Sequence, residues 1–147
     1  MDSTGDLLMN AAKGLRRSHA RVMAQWDVTL GQGRALRVVS TTPGVRISSV
    51  ADVLGIAPRS ATEVIDGLEA RGLVSRAADP HDRRATSVLP TQEGLRVHRL
   101  IAEARERATV EYLSRLVPED HEELRRLLGL LVHDEAQRAG SIAGHGR

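Results

Sequence analysis

The stretch "GIAPRSATEVIDGLEARGLVSRAADPHDRRATSVLP", residues 55–90, joins an amphipathic segment to a charged turn set between two β-prone runs. Ala61, Val64, Ile65 and Leu68 fall at i, i+3, i+4 and i+7, the buried stripe of a helix. Pro58 suits the first helical position, Ser60 with Glu63 fits a capping box that would start slightly later, and Gly72 closes the segment. Just upstream, Ile47, Val50, Ala51 and Leu54 mark a short helix, with Ser48 as its candidate N-cap and Gly55 as a left-handed stop. Two helices joined by a glycine-containing turn of about four residues make a helix-turn-helix, whose second helix can enter the DNA major groove. Any all-helical protein has such corners, so this pattern alone does not select DNA.

Residues 72–77 and 84–90 have alternating or β-branched character and flank "ADPHDR", in which Asp79, Pro80 and Asp82 are turn formers. A two-stranded hairpin with a polar tip is the economical reading. A helix-turn-helix followed at once by a hairpin is a winged helix, and its tip would project Arg83 and Arg84 towards phosphates or a narrow minor groove. Read without this context, the arginines are a solvated surface loop. His81 and Asp82 also suggest a metal-dependent hydrolase, but no paired spacing elsewhere supplies further ligands. No catalytic residue, metal site or cofactor is therefore assigned, and the chain is read as a non-enzyme.

Composition narrows the classes further. The chain has 147 residues, enough for one ordinary core, and no cysteine, which removes disulfides, thiolate metal sites and thiol redox sensing. No apolar run approaches a membrane span and the first residues lack a signal-peptide pattern, so a soluble cytoplasmic protein is expected. Basic and acidic residues nearly balance at 21 to 19, which excludes a uniformly basic nucleic-acid coat. Every basic residue except Lys13 is arginine, a side chain suited to bidentate contact with phosphate or guanine, although genomic base composition gives the same bias. Phenylalanine is absent, and Trp26 and Tyr112 are the only aromatics, which argues against reading single strands by base stacking.

Around this centre the chain is helical. Leu8, Ala11, Ala12, Leu15 and Val22 outline an amphipathic helix over about residues 7–22, and Leu30, Ala35, Leu36 and Val39 a second over about 29–39, ended by "TTPG" at 41–44. After Thr91 one long helix is expected to about Leu116. Another starts at Pro118, with Glu119 and Asp120 in its first turn, where carboxylates suit the helix dipole. Leu124, Leu127, Leu128, Leu130 and Leu131 make its apolar face wider than a solvent-facing helix needs. That face points to pairing of two chains, with intrachain packing as the plain alternative. The glycine-rich end, 139–147, is expected to be disordered.

"ISSVADVLGIAPRSATEVIDGLEARGLVSRAADPHDRRATSVLPTQEG" resembles the winged-helix core of the MarR family of bacterial transcription regulators. Its most specific part is "DPHDRRATSVLPTQEG", similar to the family's Asp-Pro-x-Asp-Arg-Arg wing signature and its Leu-Thr-x-x-Gly boundary. The resemblance extends over about residues 7–138. It implies a mainly α fold with a small β-wing: an N-terminal dimerisation helix (1–28), a winged helix-turn-helix (29–90) and C-terminal dimerisation helices (91–138). It further implies a homodimer on a pseudo-palindromic duplex site, most often a repressor released by a small-molecule effector.

By the same resemblance Arg84 takes the wing position that reaches the minor groove, Arg83 is its neighbour, and Asp82 is the acid orienting the wing arginine. Arg59, Ser60, Thr62 and Glu63 would meet base edges, and Ser48 and Ser49 phosphate. The ligand crevice would be lined by His19, Trp26 and Arg37, although Trp26 equally suits the core. Glu63 and Gly67 stand where many relatives carry basic or bulkier residues, which leaves Arg59 as the only cation early in the helix. Together with the weak net charge, this keeps open a ligand-sensing or protein-interaction module that does not bind DNA strongly.

Overall fold

The computed structural model describes the backbone of residues 1–142 and side chains to residue 133. The order is α1 (Thr4–Met23), a 3-10 turn (Ala24–Trp26), α2 (Leu30–Thr41), β1 (Val45–Arg46), α3 (Ile47–Leu54), α4 (Pro58–Ala70), β2 (Val74–Ala78), β3 (Thr86–Pro90), α5 (Gln92–Leu113) and α6 (Pro118–Ile142). The chain divides into two compact units, with the boundary between Thr109 and Val110, inside α5.

Local chemistry explains the helix ends. Ser3 caps α1 through a reciprocal box with Asp6, and Thr29 caps α2 through one with Gln32. Gly55 ends α3 at φ 64° and Gly72 follows α4 at φ 69°, left-handed positions that glycine adopts without steric cost. Two expected caps are corrected. Arg46, which makes no side-chain capping bond, is the N-cap of α3, so Ser48 lies inside that helix. Ala57 precedes α4 with Pro58 in the first turn, and no Ser60–Glu63 box forms. α5 stops at Leu113, short of 116. α6 continues to Ile142, past 139 where a disordered end was expected, and the remainder of that end lies outside the described residues.

The first unit has one core. Met23 of α1, Leu36 and Val39 of α2, Val50 of α3, Ile65 and Leu68 of α4 and Val88 of β3 are all fully buried. The sheet is antiparallel, in the order β1-β3-β2, so the expected two-stranded hairpin is a three-stranded sheet. Val45 pairs with Val88 and Arg46 with Ser87, while β2 and β3 pair from Val74–Pro90 to Ala78–Thr86. Two-residue β1 is too short to show any alternation in sequence.

The wing's far end is fixed to α4 by Thr91 and Gly94. Thr91 Oγ1 donates to the Gly72 carbonyl at 2.6 Å and accepts the Gly94 N–H at 2.9 Å. A Cβ on Gly94 would collide with the Leu73 carbonyl oxygen, so this close approach needs glycine.

In the second unit, the described part of α6 exposes Leu127, Leu128, Leu130, Leu131 and Val132. In the first unit, α1 exposes Leu7, Leu8 and Met9. No helix among the described residues is long and apolar enough to cross a membrane.

Candidate nucleic-acid interface

α3 and α4, joined through Gly55, form the helix-turn-helix, and the wing follows directly from α4. Arg59, Ser60, Thr62 and Glu63 are all exposed on the first turns of α4, opposite buried Ala61 and Ile65. Arg59 Nε lies 3.5 Å from Glu63 Oε1, an open i,i+4 ion pair of the kind worth little in water. The Thr62 hydroxyl donates to the Pro58 carbonyl at 3.1 Å. In α3, Ser48 is exposed and Ser49 half-buried.

Arg83 and Arg84 are exposed at the wing tip, outside any helix. Arg84, placed with the second strand by sequence, belongs instead to the connecting turn, since β3 begins at Thr86. The Ala85 N–H donates to the Asp82 carbonyl at 3.0 Å, and Asp82 Oδ1 accepts the Arg84 N–H at 2.9 Å. Asp82 therefore shapes the turn through the backbone of Arg84. The expected ion pair with a wing guanidinium is not among the described contacts.

The main anchor of the wing is Asp79, which sequence marked only as a turn former. Its side chain accepts from Arg46 Nε at 2.9 Å, Ser87 Oγ at 3.2 Å, and the His81 and Asp82 N–H groups at 2.8 and 3.0 Å. Asp79 is 8% exposed, and hydrogen bonding from Arg46 holds its carboxyl far below the usual carboxylate range. Because Arg46 immediately precedes α3, the pair ties the wing tip to the start of the helix-turn-helix. Arg76 of β2 bonds Asp66 and Glu69 and joins the wing to α4. Arg71 donates to the Trp26 and Asp27 carbonyls, linking the end of α4 to the turn after α1.

Of the three residues expected at a ligand crevice, His19 and Arg37 line a cavity of about 320 Å³ walled by α1, α2 and α5. Trp26 does not line it and packs against the hydrophobic core. Sequence reasoning missed His98, Ala102, Arg105 and Thr109, which also line this cavity. Their spacing, close to i, i+4, i+7 and i+11 on α5, marks one helix face and was the available signal. His19 Nε2 lies 2.9 Å from Thr109 Oγ1. Burial and Arg105 hold His19 below the ordinary histidine range, partly offset by Glu106, while burial, Arg37 and Arg99 do the same to His98. Among the described residues no cluster of three or more histidine or acidic side chains could hold a metal ion.

Comparison with known proteins agrees with this geometry. The MarR family pattern matches residues 28–86. A putative transcriptional regulatory protein for the hcr operon of Thauera aromatica is 27% identical over 127 residues, 86% of this chain and 76% of the relative. The Staphylococcus aureus MepR–DNA complex superposes with a TM-score of 0.76 at 18% identity, covering 91% of this chain and 99% of that one. A MarR-family protein of Mycobacterium tuberculosis, solved with salicylic acid, superposes with a TM-score of 0.72 at 24% identity, covering 89% and 97%. Residues 28–86, which hold the winged helix-turn-helix, thus match the MarR family of transcriptional regulators, and the fold is similar to that of solved members of that family.

Proposed function

We propose that two copies of this chain pair and bind a pseudo-palindromic duplex site in the cytoplasm, repressing transcription until a small ligand enters the cavity at His19 and Arg37. In this reading α4 enters the major groove. Arg59 meets a guanine edge, Glu63 accepts from cytosine, and Ser60 and Thr62 make adaptable contacts. Ser48 and Ser49 meet phosphate, and Arg83 and Arg84 reach the flanking minor groove. The exposed apolar residues of α1 and α6 supply the pairing surface.

The observation that carries the reading is the wing turn. Two adjacent arginines are exposed on a loop held by Asp79 and Asp82, directly after a helix-turn-helix. A flexible solvated loop has no need of a buried carboxylate with five hydrogen bonds. DNA in the MepR complex and salicylic acid in the mycobacterial one support the two partner classes.

One observation favours a second reading. Arg59 already pairs with Glu63, and Asp66 and Glu69 add further negative charge to α4, as suits a ligand-sensing or protein-interaction module with weak DNA binding. Fluorescence anisotropy with duplex DNA upstream of the chain's own gene decides between them. The proposed regulator binds as two chains per site, with affinity falling steeply as salt rises. Absence of binding at low salt favours the second reading.

A further inference from the structure

The wing is held at successive levels along its length. At its base Thr91 bonds Gly72, midway along β2 Arg76 bonds Asp66 and Glu69 of α4, and at the start of the tip Asp79 bonds Arg46. The last hold is the one that reaches the turn carrying Arg83 and Arg84.

Arg46 stands at a position that ordinarily serves another purpose. It is the N-cap of α3, where a Ser, Thr, Asp or Asn side chain accepts a free N–H of the first turn. Arginine has no acceptor to offer there, Arg46 makes no capping bond, and that first turn contains no acidic residue. The guanidinium turns instead to Asp79, with Nε 2.9 Å from Oδ2 and Nη2 3.2 Å from Oδ1. A two-point contact between planar groups fixes angle as well as distance. The helix start thus goes without a cap at the residue that bridges it to the wing.

From Asp79 the bonds run on to the tip. Arg46 pairs across the sheet with Ser87, whose hydroxyl donates to Asp79 Oδ2 at 3.2 Å. Asp79 Oδ1 accepts the N–H groups of His81 and Asp82 at 2.8 and 3.0 Å. Asp82 Oδ1 in turn accepts the Arg84 N–H at 2.9 Å. A continuous path therefore joins the N-cap of α3 to the backbone of Arg84, with the buried Asp79 carboxylate at its middle.

We infer that Arg46 is a positioning residue for DNA recognition: acting through Asp79, and without itself touching DNA, it sets the direction in which Arg84 leaves the wing and so the preference for sequence flanking the inner site. The inference rests on the DNA-binding reading and names a specificity determinant within it. A narrow minor groove attracts an inserted arginine through its enhanced negative potential, but a groove about 6 Å wide admits the side chain along few directions. A wing free to swing still meets phosphates and loses the discrimination.

The test begins with binding-site selection from random duplex DNA by the wild-type chain and by Arg46→Ser, a change that gives α3 a capping side chain. Both should return the same inner half-sites, while the flanking preference of the wild type should disappear in Arg46→Ser. Anisotropy on the selected duplex then closes a double-mutant cycle. Arg84→Ala should weaken binding several-fold in the wild-type background and at least about threefold less in the Arg46→Ser background. The matching cycle with Arg59→Ala should be additive. A merely structural role for Arg46 leaves both cycles additive. Because Arg46→Ser strips Asp79 of its cation, Arg46→Lys is the second variant. It retains the charge without the planar fork, and should keep the wild-type melting temperature yet lose most of the flanking preference.

Additivity of Arg46→Ser with Arg84→Ala, or full flanking preference in Arg46→Lys, would overturn the inference and leave Arg46 as a phosphate contact or a structural residue. If the wild type enriches paired half-sites with no flanking preference, DNA binding stands and the inference fails. If it enriches no sequence, the DNA-binding reading falls and the inference with it.

Discussion

At the scale of single residues, the proposed function concentrates in a few arginines and the acids that place them. Arg84 donates its backbone N–H to Asp82 while its guanidinium carries no described ion pair, so its side chain is available to DNA. Arg84→Ala should weaken operator binding at fixed salt and lower the salt slope by about one, with the fold unchanged, as read by anisotropy over a salt series. Asp79→Asn should do more damage, since it weakens the bridge from the wing to Arg46. Its pH signature has a definite sign. The folded carboxyl is depressed, so the stability it confers is present above the ordinary carboxylate pKa of about 4 and is lost as pH falls below it. Acid unfolding followed by circular dichroism should be steeper in the wild type than in Asp79→Asn. His19 and His98 act in a higher window. Their depressed values make the unfolded chain bind more protons just below about pH 6.5, so the free protein should lose melting temperature there.

At the scale of elements, what was legible in the sequence depended on periodicity. α2, α4 and α5 carry apolar stripes long enough to identify, and α3, though short, is bounded by Gly55. β1 spans two residues and has no period, yet its pairing with β3 brings Arg46 to Asp79. Sequence therefore offered two similar aspartates in one turn and favoured Asp82, because the register that selects Asp79 is a tertiary fact. The α1–α2–α5 cavity was half legible for the same reason: His19 and Arg37 were expected, whereas His98 and Arg105 needed the packing of α5. Thr91 and Gly94 of the "LPTQEG" boundary are explained by their contacts. Thr91→Val removes a cap and a bond to Gly72 and should cost on the order of 1–2 kcal/mol. Gly94→Ala forces the Leu73 carbonyl to move and should cost roughly 1–3 kcal/mol, measurable by urea unfolding.

At the scale of the whole molecule, the proposed regulator depends on twofold pairing, which sets two winged helices at one spacing along the duplex. The exposed leucines of α6 are the test of that surface. Leu130→Asp should shift sedimentation towards a single chain and reduce operator affinity far more than loss of one phosphate contact would, because each half-site is then held alone. The most direct measurement of the central claim is binding-site selection from random duplex DNA with the full chain. A pair of inverted half-sites about one helical turn apart, flanked by sequence with a narrow minor groove, is the predicted result. Recovery of no enriched sequence, or of an unpaired site bound equally well by Arg84→Ala, would contradict it.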